Sequence, residues 1–474
     1  MADPTNEDAK SVFTVLVTGA NSGLGFAICC RLITEFLSTR PQTQTLHLIL
    51  TTRSRTKCDD TLARLRAHLQ SVLREANGKT LGISLLLEPR IHLEGETVEL
   101  TSLLGVKALA ERLLARRQKI DCLICNAGIG GWKGMDWPRA IWTILTDLLN
   151  AATYPAFKKG YIGLRTKRQI PPDDYGKQVR SSSRSLRETE KEEPILGEVF
   201  TANVFGHYML AHWIAPLLRL NTASASGEEE RARVIWISSL EAYPHALDME
   251  DLQGMKTDMA YESSKRLTDL LVLTADLPPT RPHVSSYFSA TPYPNTSSID
   301  IQGPGEQQQD RPVMYLSHPG ICGTAIAALP SILLLFMNLS FYLARLLGSP
   351  WHTTTAWSGA CAPVWLALSS HSLLEGLERE GGKGKWGSAT NTSGADRVIR
   401  TEVSGWGWGG KVGEKVDGGM RMKRGRWRGM KELTQEGRED FELLGAEVWR
   451  KMEELRREWE ERLSGLPEDS SEEV

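Results

Sequence analysis

The feature that most constrains this chain is a short β-branched run ending in a cluster of glycines. Val12–Val17 reads as a strand, and it passes directly into Thr18-Gly19-Ala20-Asn21-Ser22-Gly23-Leu24-Gly25 before the apolar helical pattern of Phe26–Leu37 begins. Glycines in a strand-to-helix turn let the backbone bend tightly and approach a ligand, while the helix start presents free N–H groups to an anion. The spacing is G-x-x-x-G-x-G, and its place between first strand and first helix points to a bound pyrophosphate.

The rest of the chain keeps the same rhythm. Strand patterns at Leu46–Thr51, up to Glu99, at Ile120–Cys125, Val234–Ile237 and Val313–Leu316 alternate with helical patterns such as Thr61–Glu75 and Leu103–Arg117. Alternation of this kind predicts an α/β fold: a Rossmann-type, doubly wound parallel sheet built from right-handed βαβ units, with helices on both faces. Such a domain needs about 250–300 residues, whereas the chain has 474. The catalytic domain is expected over 10–324, an apolar segment over 325–375, and a last strand, loop and helix over 376–474. Arg165–Glu193 and Pro278–Pro312 lack periodicity and read as disordered surface insertions. Gly381–Gly429 is rich in Gly and Trp, apart from the last strand expected near Lys385–Thr390. Lys431–Leu463 reads as a charged, solvent-facing helix of little functional content.

Composition removes several classes. A net charge of -2, from 56 basic and 58 acidic residues, leaves no footprint for nucleic acid. The 7 cysteines make no disulfide framework in a chain this long, which points to a reducing compartment. Cys122 and Cys125, three apart on a strand, point to opposite faces, and no metal site is expected. The polar N-terminus, MADPTNEDAKS, does not resemble a cleaved secretory signal.

Cofactor choice is read at the end of the second strand, Thr51-Thr52-Arg53-Ser54-Arg55. An acidic residue there would bond the ribose 2′-hydroxyl of NAD. Arg53 instead suits a 2′-phosphate, with Arg55 as a helper, so NADPH is expected. Glu99 stands where the adenine would be met, and Asn126-Ala127-Gly128 closes the fourth strand on the same edge.

Tyr261-Glu262-Ser263-Ser264-Lys265 carries the chemistry. Residues four apart share a helix face, so Lys265 can lie by the Tyr261 phenol. A free phenol titrates near pH ~10, and a neighbouring cation lowers that value by stabilising the phenolate. Tyr261 can then protonate a ketone oxygen as hydride reaches the carbon. Ser238 and Ser239 end the fifth strand, and one hydroxyl can hold the substrate oxygen; Ser239 is favoured, with Ser238 left open. Asn203, in Phe200–Gly206, could bind a water that links Lys265 to solvent.

Gly19-x3-Gly23-x-Gly25, Asn126-Ala127-Gly128, Ser239, Tyr261-x3-Lys265 and Pro319-Gly320-x3-Thr324 together resemble the short-chain dehydrogenases/reductases over roughly 12–325. FTANVFGHY at Phe200–Tyr208, YESSKRLTDLL at Tyr261–Leu271, YLARLLGSPWH at Tyr342–His352 and GSAT at Gly387–Thr390 resemble the fungal 3-keto-steroid reductases of sterol C-4 demethylation. The resemblance implies Tyr261 as proton donor, Lys265 as its partner, Ser239 on the oxyanion side and Asn203 completing a tetrad. It implies NADP(H) held by Gly19, Asn21, Ser22, Gly23, Leu24, Gly25, Arg53, Glu99, Asn126, Ala127, Gly128, Tyr261, Lys265, Pro319, Gly320, Ile321 and Thr324, with Ile321 and Thr324 at the carboxamide. The gap from Ser239 to Tyr261 is longer than in the shortest members of the superfamily.

Ala325–Ala344 carries no charge, and twenty residues would make about 30 Å of helix. A span would strand the expected last strand on the wrong side, so a helix pair dipping into one leaflet at the substrate entrance is expected. Trp132, Trp137 and Trp142 are expected to pack a helix or the pocket wall, and Arg421–Arg428 to lie in a loop that could meet lipid headgroups. The resulting expectation is reduction of a sterone to its 3-hydroxy sterol at the cytosolic face of the endoplasmic reticulum or a lipid droplet. Partners would be the membrane surface and other C-4 demethylation enzymes. The rivals are reduction of another apolar carbonyl, such as retinal or a fatty ketone, and a non-catalytic scaffold.

Overall fold

The computed structural model describes residues 11–170, 193–219, 231–289, 311–323, 331–413 and 425–464. Its strands are β1 (Ser11–Val17), β2 (Gln44–Thr52), β3 (Ile91–Thr97), β4 (Cys122–Cys125), β5 (Trp132–Met135), β6 (Lys158–Gly160), β7 (Arg233–Ile237), β8 (Val313–His318), β9 (Lys385–Thr390) and β10 (Asp396–Thr401). The main sheet has the order β10-β9-β8-β7-β4-β1-β2-β3, while β5 and β6 form a separate hairpin. Every pairing in the main sheet is parallel except that of β10 with β9. The chain moves outward from β1 to β3 and returns to β4 on the other side of β1. That reversal opens a crevice at the carboxyl ends of β1 and β4, the place where doubly wound sheets bind ligands.

Both faces of the sheet are covered, which explains why its central strands β1, β4 and β7 are mostly apolar. Cys122 and Ile124 join one core cluster with Ile28, Phe36 and Leu65 of the helices Gly23–Thr39 and Arg55–Lys79. Leu123 and Cys125 join the opposite cluster with Leu109, Tyr208 and Leu270. The two cysteines of the C-x-x-C run therefore face opposite ways, each buried.

Three elements depart from the sequence reading. The helix Gln435–Ser464 is not simply solvent-facing: Phe441, Val448, Trp449, Met452, Trp459 and Leu463 are buried in the core. They recur at helical spacing, an apolar stripe that the dense charges of the other faces conceal. Full burial of such side chains is worth about 1.5–3 kcal/mol each. Second, the segment from Pro278 is not wholly an insertion, because Arg281–Phe288 is a helix whose Tyr287 ring stacks on Tyr208 at 4.1 Å. Residues 290–310, and 171–192 of the other proposed insertion, lie outside the described residues. Third, β10 adds an antiparallel edge within the Gly- and Trp-rich region.

Among the described residues of the apolar segment Ala325–Ala344, 331–344 belong to one helix, Ser331–Leu346, of 16 residues. Residues 324–330 lie outside the described residues, as do 421–424 of the basic cluster. No described helix is long and apolar enough to cross a membrane.

Candidate active site

The glycine turn forms as its sequence requires. Gly19 has φ of +66°, and a Cβ there would lie 2.8 Å from Ala127 Cα. A Cβ on Gly25 would come within 2.3 Å of the Gly19 carbonyl oxygen, so this close approach needs glycine. Asn126 ties the two strand ends together: its side-chain amide donates to the Thr18 carbonyl at 2.9 Å, while Thr18 Oγ1 accepts from the Asn126 and Ala127 amides. The next helix starts at Gly23 with Ser22 making no side-chain cap and no acid in the first turn. Its free N–H groups and positive dipole end are therefore open to an anion, which fits a dinucleotide pyrophosphate.

Around this turn, Asn21 donates to Ser22 Oγ at 3.3 Å, and its carbonyl accepts from Arg64. Leu24 is half-buried. Arg53, at the end of β2, is exposed and lies 3.8 Å from Glu99. Its guanidinium is the kind of group that suits a 2′-phosphate, and here it pairs with the Glu99 carboxylate. Arg55 starts the second helix and pairs instead with Asp59 at 3.3 Å, so it is less available as a helper.

The catalytic candidates meet at the carboxyl end of β7. Tyr261 and Lys265 stand on the helix Ala260–Leu273, and Lys265 Nζ lies 5.5 Å from the Tyr261 ring centre. Lys265 is buried and donates to the Ile237 carbonyl at 2.8 Å. Burial, aided by the nearby Lys385 charge, pushes its ammonium down to about 8. Burial and then the Glu241 carboxylate push the Tyr261 phenol up; a side-chain hydrogen bond with Ser239 opposes them.

The structure separates the two serines. Ser238 is buried and donates to Asp269 Oδ1 at 2.5 Å, away from the tyrosine. Ser239 is half-buried and within hydrogen-bonding reach of Tyr261. Strand alternation explains the difference, since consecutive residues at the end of β7 face opposite ways.

Asn203 lies in a one-turn π-helical widening, Thr201–Phe205. Its side-chain carbonyl accepts from the Ile129 amide at 2.7 Å, and its amide donates to the Ile129 carbonyl and to Ser264 Oγ, each at 3.0 Å. It therefore fixes the loop after β4, and Gly128 has no room there for a side chain, since a Cβ would sit 2.8 Å from Asn203 Oδ1. Pro319 and Gly320 follow β8, and the Ile321 amide donates to the Trp351 carbonyl at 2.7 Å. Thr324 lies outside the described residues.

Sequence reasoning missed a second group of charges. Lys158 on β6 lies 2.7 Å from Glu241 and 3.3 Å from Glu262, and 5.4 Å from the Tyr261 ring centre. Trp132 on β5 packs edge-on to Tyr261 at 5.3 Å. The β5–β6 hairpin thus packs against the tyrosine. Trp132 serves the pocket wall as expected, but Trp137 and Trp142 are 48% and 68% exposed and pack no wall. The only sequence signal for Lys158 was a lysine beside a short polar strand, too common to single out.

No family model matches the chain. It is 45% identical to a 3-keto-steroid reductase of Aspergillus fumigatus over 467 residues, covering 97% of each chain. A 3-keto-steroid reductase of Gibberella zeae is 39% identical over 482 residues, covering 95% of each. A third, from Schizosaccharomyces pombe, is 31% identical over 82% of this chain and 90% of its own. With these relatives matched over most of their length, beside the Rossmann-type sheet, the glycine turn and the Tyr261–Lys265 helix, this chain belongs to the 3-keto-steroid reductase family.

Proposed function

We propose that this protein reduces the C3 ketone of a sterone to the 3-hydroxy sterol with NADPH, as a step of sterol C-4 demethylation. One observation carries the reading: Tyr261, Ser239 and Lys265 converge at the carboxyl end of β7, in a chain of the 3-keto-steroid reductase family. NADPH, when bound, supplies the hydride to the carbonyl carbon. Ser239 donates to the carbonyl oxygen and holds it by the phenol. Tyr261 gives its hydroxyl proton to that oxygen as charge develops there. Lys265 stabilises the phenolate left behind, and a water near Asn203 resupplies the proton. Arg53 favours the 2′-phosphate over a plain ribose.

The same reading includes a membrane surface as the source of the substrate. Helix Ser331–Leu346 exposes Leu335, Phe336, Leu339 and Leu346, and helix Trp137–Thr146 exposes Ile141, Trp142 and Leu145. The short helix Leu148–Thr153 touches both. Apolar faces on neighbouring helices favour contact with lipid, since a monomer seldom leaves a large apolar patch to water. Placement on the cytosolic face of the endoplasmic reticulum or a lipid droplet, beside other C-4 demethylation enzymes, belongs to this proposal. The test of substrate class is product analysis after incubation with NADPH and a 3-keto sterol, retinal or a long-chain ketone. Conversion of the sterone alone to its 3-hydroxy product is expected; preference for either of the others would overturn the assignment.

A further inference from the structure

We propose that Lys385 and Asp269 are positioning residues for the reduction, a buried pair that holds the Ser238–Ser239 segment so that the Ser239 hydroxyl faces Tyr261. The inference rests on the role given to Ser239 above. Lys385 opens β9, and Asp269 lies on the Tyr261 helix about two turns beyond the tyrosine. Their side chains are 3% and 1% exposed and approach to 2.7 Å.

The ammonium donates to the Ser239 main-chain carbonyl at 2.6 Å and to the two Asp269 oxygens at 3.0 and 2.7 Å. Asp269 Oδ1 also accepts from the Ser238 hydroxyl. Two adjacent residues are thus held from two elements: Ser238 by its side chain, Ser239 by its carbonyl. With both held, the Ser239 hydroxyl, which accepts from the Glu241 amide at 3.2 Å, is placed within reach of the phenol. A buried ion pair is a weak source of stability, because loss of hydration offsets the attraction and apolar residues of similar volume often serve as well. What apolar residues cannot do is orient a peptide through directional bonds.

The experiment compares two neutral replacements of the pair in the full chain. Lys385→Gln with Asp269→Asn keeps hydrogen bonds, whereas Lys385→Met with Asp269→Leu removes them. If the pair positions Ser239, the amide version keeps kcat for the sterone within a few-fold. The apolar version loses roughly ten- to a hundred-fold in kcat, with NADPH affinity unchanged. A second readout needs no substrate: the Tyr261 phenolate band, assigned by difference from Tyr261→Phe, should appear at higher pH in the apolar version, since the bond from Ser239 is lost. The charged groups facing the phenol (Lys158, Lys265, Glu241 and Glu262) are the same in all versions.

Equal kcat and equal titration in the two versions would overturn the proposal. Absence of sterone turnover in the unaltered protein would instead count against the substrate reading, while the titration still decides the role of the pair. Should the apolar version not fold, Lys385→Met alone, which removes the bond to the Ser239 carbonyl, compared with and without Ser239→Ala, decides. Its effect on kcat vanishes in the Ser239→Ala background if Lys385 works through Ser239, and persists if it does not.

Discussion

Ser238 and Ser239 share a composition and a strand end, yet only one of them reaches the phenol. Ser239→Ala should therefore lower kcat by about a hundred-fold or more, the usual effect of losing an oxyanion-side donor. Ser238→Ala should lower kcat far less, by a few-fold through a looser hold on the Ser238–Ser239 segment, and destabilise the fold by about 1.5–3 kcal/mol, read as a drop in denaturant midpoint, because it removes a bond to a buried carboxylate. Lys265 gives a prediction with a sign. Its folded value of about 8 lies below the ordinary lysine range near ~10.4, so the unfolded chain binds the extra proton between those values. Below pH ~8 the buried charge works against the fold. Lys265→Met should abolish turnover and yet raise the melting temperature at neutral pH, and that gain should shrink as pH rises from ~8 to ~10. A variant less stable than the parent at neutral pH would show that the bond to Ile237 outweighs desolvation. The glycine turn, the Tyr261–Lys265 pair and Asn126 were legible because each needs a fixed spacing within one element. Lys158, Lys385 and Asp269 were not, because they reach the site through contacts far apart in sequence that carry no local pattern.

At the scale of elements, the central strands β1, β4 and β7 were legible because strands buried on both faces read as mostly apolar runs. The helix Gln435–Ser464 was misread for the opposite reason. Its stripe of large residues is spaced among charges, and part of its buried face is itself charged: Glu453 pairs with Arg456 at 2.8 Å and accepts from Tyr208 at 2.8 Å. Burial pushes the Glu453 carboxyl up, but the bonds and charge of Arg456 and the Tyr208 bond pull it below its ordinary value. That contribution to stability is present above the unfolded carboxylate value and is lost as pH falls through the folded one. Melting curves at falling pH should therefore show the parent converging on a Glu453→Gln variant, the parent being the more stable near neutrality. Trp449→Ala, which empties the centre of the same stripe, should cost about 3–5 kcal/mol. A loss under 1 kcal/mol would mean that the helix adds little to the core.

On the scale of the whole molecule, a crevice for a dinucleotide and two helices with apolar faces lie on one chain, and the sterone account needs both. Substituting Trp142 and Leu339 together by Asp should weaken flotation with phospholipid vesicles while turnover of a detergent-dispersed sterone is kept. Unchanged flotation would remove these helices from the membrane reading. The measurement that bears most directly on the central claim is NADPH oxidation by the detergent-solubilised protein with a 3-keto sterol, run beside NADH and beside Tyr261→Phe. The account predicts turnover that requires NADPH, yields the 3-hydroxy sterol and is lost with Tyr261→Phe. A protein that binds NADPH but turns over no sterone, or one that works equally well without the Tyr261 hydroxyl, would contradict it.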